Sequence, residues 1–222
     1  MLHFVEFVLL IPKISFFLIL MTNSEQCFDR FYDSLARKIF LGWVDIRKQA
    51  VITKFFKNRS GLRVLDLGSG TANISSRLVA SNKVYAVDQS ELLLNQASRR
   101  GVITALGSFE NIPHPDSYFD VVLMIDSIEH VPSREKAFKE IKRVLKKDSG
   151  ILLVITPCYN SLLWNLSEWF AVWITKRVSS GHISPFTTES LDYFLKSNFH
   201  IVNTNKLNFK MWFWSVASGP KL

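Results

Sequence analysis

Cysteine is scarce in this chain: among 222 residues only Cys27 and Cys158 carry a thiol. They lie far apart and without ligand spacing, so neither a disulfide framework nor a zinc site is expected, and a reducing, cytoplasmic interior is the simpler home. Long apolar runs are missing too. The apolar start, residues 1–21, is interrupted by Glu6, Pro12 and Lys13, short of the ~20 clean residues a bilayer-spanning helix needs. It also lacks a basic beginning and a small-residue cleavage site, which disfavours a secretory signal. Three readings stay open for it: an anchor touching a membrane surface, an apolar helix packed on the domain, or an extension upstream of a chain starting at Met21. No internal repeat and no low-complexity tract occurs, which sets aside solenoids and disordered arrays.

Glycine is sparse in the places where nucleotide-binding loops need it. No G-x-x-x-x-G-K run exists, and Gly68-Ser69-Gly70 is followed by Thr71-Ala72-Asn73, with no third glycine for a dinucleotide pyrophosphate. Nucleoside triphosphate and NAD chemistry are thereby disfavoured. Acidic residues are in deficit, 19 against 27 Lys and Arg, for a net charge of +8. The surplus is scattered, however. Pairs such as Arg99-Arg100, Lys142-Arg143 and Lys146-Lys147 fall at expected helix ends, where cations complement the helix dipole. No nucleic-acid partner is expected from such a distribution.

What is present is apolar mass: 48% hydrophobic and 13% aromatic residues, enough to bury one globular core. Between Glu25 and Lys57 apolar residues recur at helical spacing, predicting two helices that meet at Gly42. After residue 61 the pattern alternates between apolar runs and helical stretches. Strands are expected at Arg63–Leu67, Lys83–Asp88, Val102–Leu106, Phe119–Asp126 and Gly150–Thr156, with helices at Ser133–Lys147 and Thr187–Leu195. A closing antiparallel pair is expected at Phe199–Leu207 and Lys210–Ala217. Such alternation specifies an α/β fold, a mostly parallel sheet covered on both faces. The plan is then an apolar segment 1–21, a helical cap 22–60 and a main domain 61–222 bearing an aromatic insert at 160–182.

The chemistry is expected at the carboxyl ends of the strands. The first strand runs through Asp66 and Leu67 into Gly68-Ser69-Gly70 and, by the pattern, straight into a helix, bringing bare backbone close to a ligand. The second strand ends about 20 residues later in Asp88, where ribose hydroxyls are accepted in nucleotide-like ligands. Asp126, Glu129 and His130 follow the fourth strand. An imidazole titrating near neutrality is a natural base for a hydroxyl nucleophile, so His130 is the first candidate, with Asp126 beside it. Local hydrogen bonding that orders the turn is the alternative reading of His130. His114 and His200 are expected to be structural or solvated, and Cys158 lacks an adjacent basic partner to activate its thiol.

The run Val64-Leu65-Asp66-Leu67-Gly68-Ser69-Gly70-Thr71-Ala72 resembles the first motif of class I S-adenosylmethionine (SAM)-dependent methyltransferases. The resemblance implies a Rossmann-like, seven-stranded fold with SAM as cofactor. It places the methionine part of SAM over Gly68, Ser69 and Gly70, with Asp66 fixing the turn and Asp88, next to Gln89, binding the ribose. Gly107-Ser108-Phe109-Glu110-Asn111-Ile112-Pro113 resembles the adenine-contacting loop, so Ser108 and Phe109 join the cofactor set, as does Ile125 at the end of the fourth strand. Ser108 departs from the usual aspartate, and Ala72 from a frequent third glycine.

Several segments are similar to the ubiquinone and menaquinone type of this family: Phe31-Tyr32-Asp33, Thr156-Pro157-Cys158-Tyr159-Asn160 and His182 through Phe186-Thr187. By that likeness Tyr32 covers the cofactor, while His130, Trp164 and His182 face the acceptor. The acceptor is then a small apolar or lipid-linked molecule, methylated on a hydroxyl, with contact to a membrane surface as a corollary. No metal is expected. If one were used, the resemblance would put it at Asp126, Glu129 and His130. The rival reading is a catalytically silent, membrane-associated scaffold with the same fold.

Overall fold

The computed structural model describes residues 35–159, 186–207 and 212–221. The elements, in chain order, are α1 (Leu35–Phe56), β1 (Arg63–Leu67), β2 (Lys83–Asp88), α2 (Glu91–Ser98), β3 (Ile103–Leu106), β4 (Val121–Ile125), α3 (Arg134–Val144), β5 (Ile151–Pro157), α4 (Thr188–Asn198), β6 (Phe199–Leu207) and β7 (Trp212–Pro220). Two short 3-10 turns, Ser75–Leu78 and Ile128–His130, follow β1 and β4.

The seven strands form one sheet in the order β3-β2-β1-β4-β5-β7-β6. Strands β1 to β5 run parallel, and β7 is antiparallel to both β5 and β6. Each central strand is apolar along its length because both of its faces are covered. Val64, Leu65 and Leu67 in β1 and Val121 to Met124 in β4 are all buried. One face packs on α3 and α4 through Phe119, Phe138, Leu191 and Leu195. The other packs on α1 and α2 through Ile52, Phe56, Leu94 and Ala97. The edge strand β3 is only partly covered, with Ile103 and Leu106 exposed.

Helix starts follow local chemistry. Ser90 and Ser133 accept hydrogen bonds from the backbone at the starts of α2 and α3. Thr187 and Ser190 form a reciprocal capping box on α4. The apolar face of α3 is Ala137, Phe138, Ile141 and Val144, at the three- and four-residue spacing that makes one buried stripe. Phe138 meets Phe194 of α4 edge-on, with ring centroids 4.6 Å apart.

Two expectations need correction. The two helices meeting at Gly42 are one continuous helix, α1, across that glycine. A single interior glycine costs a helix only about 1 kcal/mol, and the apolar residues that follow dock this one on the sheet. The glycine turn also does not run straight into a helix: the chain makes turns through Ala72 and then only the four-residue 3-10 turn. Its backbone, with φ of +51° at Gly70 and +52° at Ala72, is left-handed there and incompatible with an α-helical start. Boundaries shift by one to three residues elsewhere, as at α3 and β7.

Phe138 is 1% exposed at the centre of the α3 stripe. Phe138→Ala is expected to lower stability by about 3–5 kcal/mol, read from urea denaturation with an unchanged slope. A loss below ~1 kcal/mol would place the core elsewhere.

Candidate functional site

Strand order reverses between β1 and β4, so the crevice of the fold opens at their carboxyl ends. Backbone hydrogen bonds stitch the loops there into a rim. Gly68 N–H donates to the Val87 carbonyl at 2.8 Å, and Gly107 N–H to the Asp88 carbonyl at 3.1 Å. Ser127 Oγ donates to the Leu67 carbonyl at 2.8 Å, tying the end of β4 to the end of β1.

Gly68 has φ +71°, and a Cβ added to it would lie 2.7 Å from Ser127 Cβ and 2.9 Å from Phe109 Cζ. Protein therefore already requires glycine here, before any ligand does. The Phe109 ring, from the loop after β3, lies against the turn. Asp88 aims its carboxylate back at the same turn, accepting Gly70 N–H on Oδ2 at 2.7 Å and Ser90 N–H on Oδ1 at 2.9 Å. It is only half-buried, so lone pairs remain for ligand hydroxyls. Gln89 is exposed beside it. Asp66 is buried beneath the turn and accepts a hydrogen bond from Ser75 Oγ. Burial pushes its carboxyl up to about 7, against the opposing Ser75 bond and with help from the Asp88 charge.

The loop after β3 is held by α3. Arg143 donates to the carbonyls of Ile112 and His114 at 2.9 and 2.8 Å, and also pairs with Glu140 and Asp116 at 2.7 Å each. Glu140 accepts Ile112 N–H at 2.9 Å. Arg143 thus clamps the loop that carries Ser108 and Phe109, rather than simply terminating a helix. Ser108 bridges Asn111 through the backbone, its N–H donating to the Asn111 carbonyl at 3.2 Å. His114 packs in an aromatic cluster with Tyr85 and Phe119, at 5.4 and 5.0 Å between centroids, away from the rim. His200 is exposed.

On the β4 side, Asp126 has φ +48°, a left-handed conformation unusual for a residue other than glycine. Its Oδ2 pairs with Lys48 Nζ, and its Oδ1 accepts the Trp212 indole N–H at 3.1 Å. Lys48 is 3% exposed and sits 5.0 Å from the Trp212 ring centroid. Glu129 is fully buried and accepts Thr156 Oγ1 at 2.9 Å. Burial and the Asp126 charge push its carboxyl up to about 8, with Lys48 and the Thr156 bond opposing. Burial therefore favours the protonated form of Glu129. His130 is half-buried, its backbone N–H donating to the Ser127 carbonyl at 3.1 Å, and Ile125 is half-buried at the end of β4.

The rim thus gathers Asp66, Gly68, Ser69, Gly70, Asp88 and Phe109 on one side and Ile125, Asp126, Glu129 and His130 on the other. Tyr32, Trp164 and His182 lie outside the described residues. Among the described residues no group of three or more His, Cys, Asp or Glu is arranged to hold a metal ion, and Asp126, Glu129 and His130 do not form one. No described helix is long and apolar enough to cross a membrane. Sequence reasoning missed Lys48, Trp212 and Ser127, and it marked Arg143 only as a helix-end cation and Thr156 only within a turn segment. Ser127 had a local signal as a small residue next to the acidic cluster.

The matches to known proteins fall on this same framework. Residues 65–154 match the family model described as a methyltransferase domain. A rice chloroplast 2-methyl-6-phytyl-1,4-hydroquinone methyltransferase is 30% identical over 164 residues, covering 70% of this chain and 46% of that protein. A ubiquinone/menaquinone biosynthesis C-methyltransferase of Paraburkholderia phymatum is 36% identical over 107 residues, 44% of each chain. The chain thus spans a little under half the length of these curated relatives. A crystal structure from Thermotoga maritima, titled a SAM-dependent methyltransferase and possible histamine N-methyltransferase, superposes with a TM-score of 0.68 at 25% identity, over 86% of this chain and 97% of that one.

The upward shift of the Glu129 carboxyl on burial has a measurable consequence. Between about pH 4.5 and 8 the unfolded chain releases a proton that the folded chain keeps, so stability falls as pH rises through that window and levels off above it. Glu129→Gln, which mimics the protonated form, is expected to remove that part of the decline, up to about 1.4 kcal/mol per pH unit. Urea midpoints of both proteins at pH 5 and pH 8 measure it. Parallel declines would mean that Glu129 titrates normally.

Proposed function

We propose that the chain transfers a methyl group from SAM to a small hydroxylated, apolar or lipid-linked acceptor of the quinol kind; the match of residues 65–154 to a methyltransferase domain and the likeness to a SAM-dependent methyltransferase structure support the reading. The observation that carries the reading is the rim itself, where the Gly68–Gly70 turn faces the Asp88 carboxylate at the switch between β1 and β4. The residues present fit the cofactor. The left-handed Gly70 carries no side chain beside the Asp88 carboxylate, and Asp88 is fixed by two N–H donors while staying half-exposed.

In this reading Asp88 accepts the ribose hydroxyls, with Gln89 at the mouth of the site. Phe109 supplies an apolar face for the adenine, and the Ser108 hydroxyl or nearby backbone stands in for the missing acid. Asp66 holds the Ser75 turn and so the shape of the cradle. SAM, when bound, supplies a methyl group on a sulfonium, ready for in-line attack. The protein's part is to orient the acceptor and to take its proton. His130 is the base for a hydroxyl, whether the methyl goes to that oxygen or to a ring carbon made nucleophilic by it. The same proposal assigns Tyr32 to the cofactor, Trp164 and His182 to the acceptor, and the aromatic insert 160–182 to an apolar acceptor's cover. The quinol class draws support from the likeness to the rice and Paraburkholderia methyltransferases. Contact with a membrane through residues 1–21 is part of the same proposal, as is a cytoplasmic location.

Incubation with methyl-labelled SAM and a prenylated hydroquinone is expected to give a labelled quinol and an equal amount of S-adenosylhomocysteine; proton NMR of the product separates O- from C-methylation. Asp88→Ala is expected to weaken SAM binding by about 10- to 100-fold in calorimetry, through loss of charge-assisted hydrogen bonds. His130→Ala is expected to lower kcat by about 100-fold or more with SAM affinity unchanged. A folded protein, by circular dichroism, that gives no heat with SAM would overturn the enzyme reading and favour a silent scaffold.

A further inference from the structure

The Lys48 ammonium is a conspicuous charge to find inside the fold. It comes from α1, in the part of the chain before the matched domain, and pairs with a carboxylate 78 residues away. Removing two charges from water is costly, and a buried ion pair is weak evidence of stabilisation, since apolar side chains fill such space at no greater cost. Its location therefore needs another reason. Asp126 stands at the carboxyl end of β4, on the acceptor side of the rim, in a left-handed conformation that an apolar substitute could not adopt cheaply.

Resting on the methyltransferase reading above, we infer that Lys48 is a positioning residue for methyl transfer: carried in on α1, its ammonium and the Trp212 N–H grip the two oxygens of Asp126 and aim that carboxylate along the acceptor edge. The docking of α1 and the geometry of the acceptor edge are then one unit. Trp212 contributes from β7 in two ways, as a donor to Oδ1 and as an aromatic face near the ammonium. The charges balance in the same arrangement. One cation from α1 meets the Asp126 carboxylate, and the second carboxyl, Glu129 on the 3-10 turn, accepts the Thr156 hydroxyl of β5 while burial favours its neutral form.

The grip acts on Glu129 with opposite signs from its two ends, which a purely space-filling role would not do. Lys48 and Asp126 are the charged side chains that bear on Glu129 among the described residues, with the Thr156 hydroxyl as its hydrogen-bond partner. Lys48→Met is expected to raise the midpoint at which Glu129 titrates, and Asp126→Asn to lower it. Asparagine tolerates the left-handed backbone, so the second variant keeps the turn. Carbon-13 NMR of carboxyl-labelled full-length protein reads both, with the Glu129 signal assigned by its loss in Glu129→Gln.

With SAM and a prenylated hydroquinone, Lys48→Met is expected to lower kcat by about tenfold or more while KM for SAM stays within about threefold. Lys48→Arg is expected to recover part of the rate, and Trp212→Phe, which keeps the ring and removes the N–H, to lose an intermediate amount. If Lys48→Met does not fold, Lys48→Arg and Trp212→Phe carry the test. Midpoints that stay put or move in the same direction, or a full kcat in Lys48→Met, would overturn the inference. A wild type that turns over no prenylated hydroquinone refutes the quinol acceptor instead, and the two NMR midpoints still decide whether the Lys48 and Asp126 charges both bear on the Glu129 carboxyl.

Discussion

A parallel sheet buried on both faces leaves its polar chemistry only one place to go, the strand ends. Crossovers leave β1 and β4 toward opposite faces, so the loops after these neighbouring strands part and the crevice between them stays open. Everything this molecule can do to a ligand follows from that parting. The glycine turn, the acid that ends β2 and the turn after β4 come from segments far apart in sequence. They meet because β1 pairs with β2 on one side and β4 on the other.

The crevice is built asymmetrically. Its β1–β2 side is mostly backbone: a left-handed glycine turn, a carboxylate satisfied by two N–H groups and a phenyl ring laid against Gly68. That surface suits a ligand recognised by hydroxyls and a flat ring. Its β4 side is charged and held from outside the matched domain, with Lys48 from α1 and Trp212 from β7 converging on Asp126. Under the proposed reading, the donor lies on the β1–β2 side, within the matched residues, and the acceptor edge is braced by elements outside them. Arg143 joins the two in a quieter way, by fastening the loop after β3 to α3.

Much of this could be read from the residues in order. Unbroken apolar runs between turn signals located β1, β2 and β5 to within a residue or two, because strands buried on both faces leave no polar alternation to confuse the pattern. Asp66, Gly68, Gly70, Asp88 and the acids after β4 were legible for the same reason, as polar interruptions at strand ends. What could not be read was anything decided by distance in space. Lys48 looks like any helix lysine until β4 brings Asp126 beside it, and the partner of the Trp212 indole lies 86 residues away. The continuity of α1 through Gly42 was illegible because a local propensity of about 1 kcal/mol was outweighed by packing. Ala72 is a case in between: the sequence marked it as a departure from a frequent third glycine, and it takes a left-handed turn with φ +52°.

The central claim is that the crevice between β1 and β4 is a SAM site. A crystal structure of the full chain with S-adenosylhomocysteine tests it most directly. The account predicts the ribose hydroxyls on Asp88, the amino-acid portion along Gly68 to Gly70, the adenine against Phe109 and the sulfur facing the Asp126 and His130 edge. Ligand density anywhere else on the molecule, or the ribose turned away from Asp88, would contradict it.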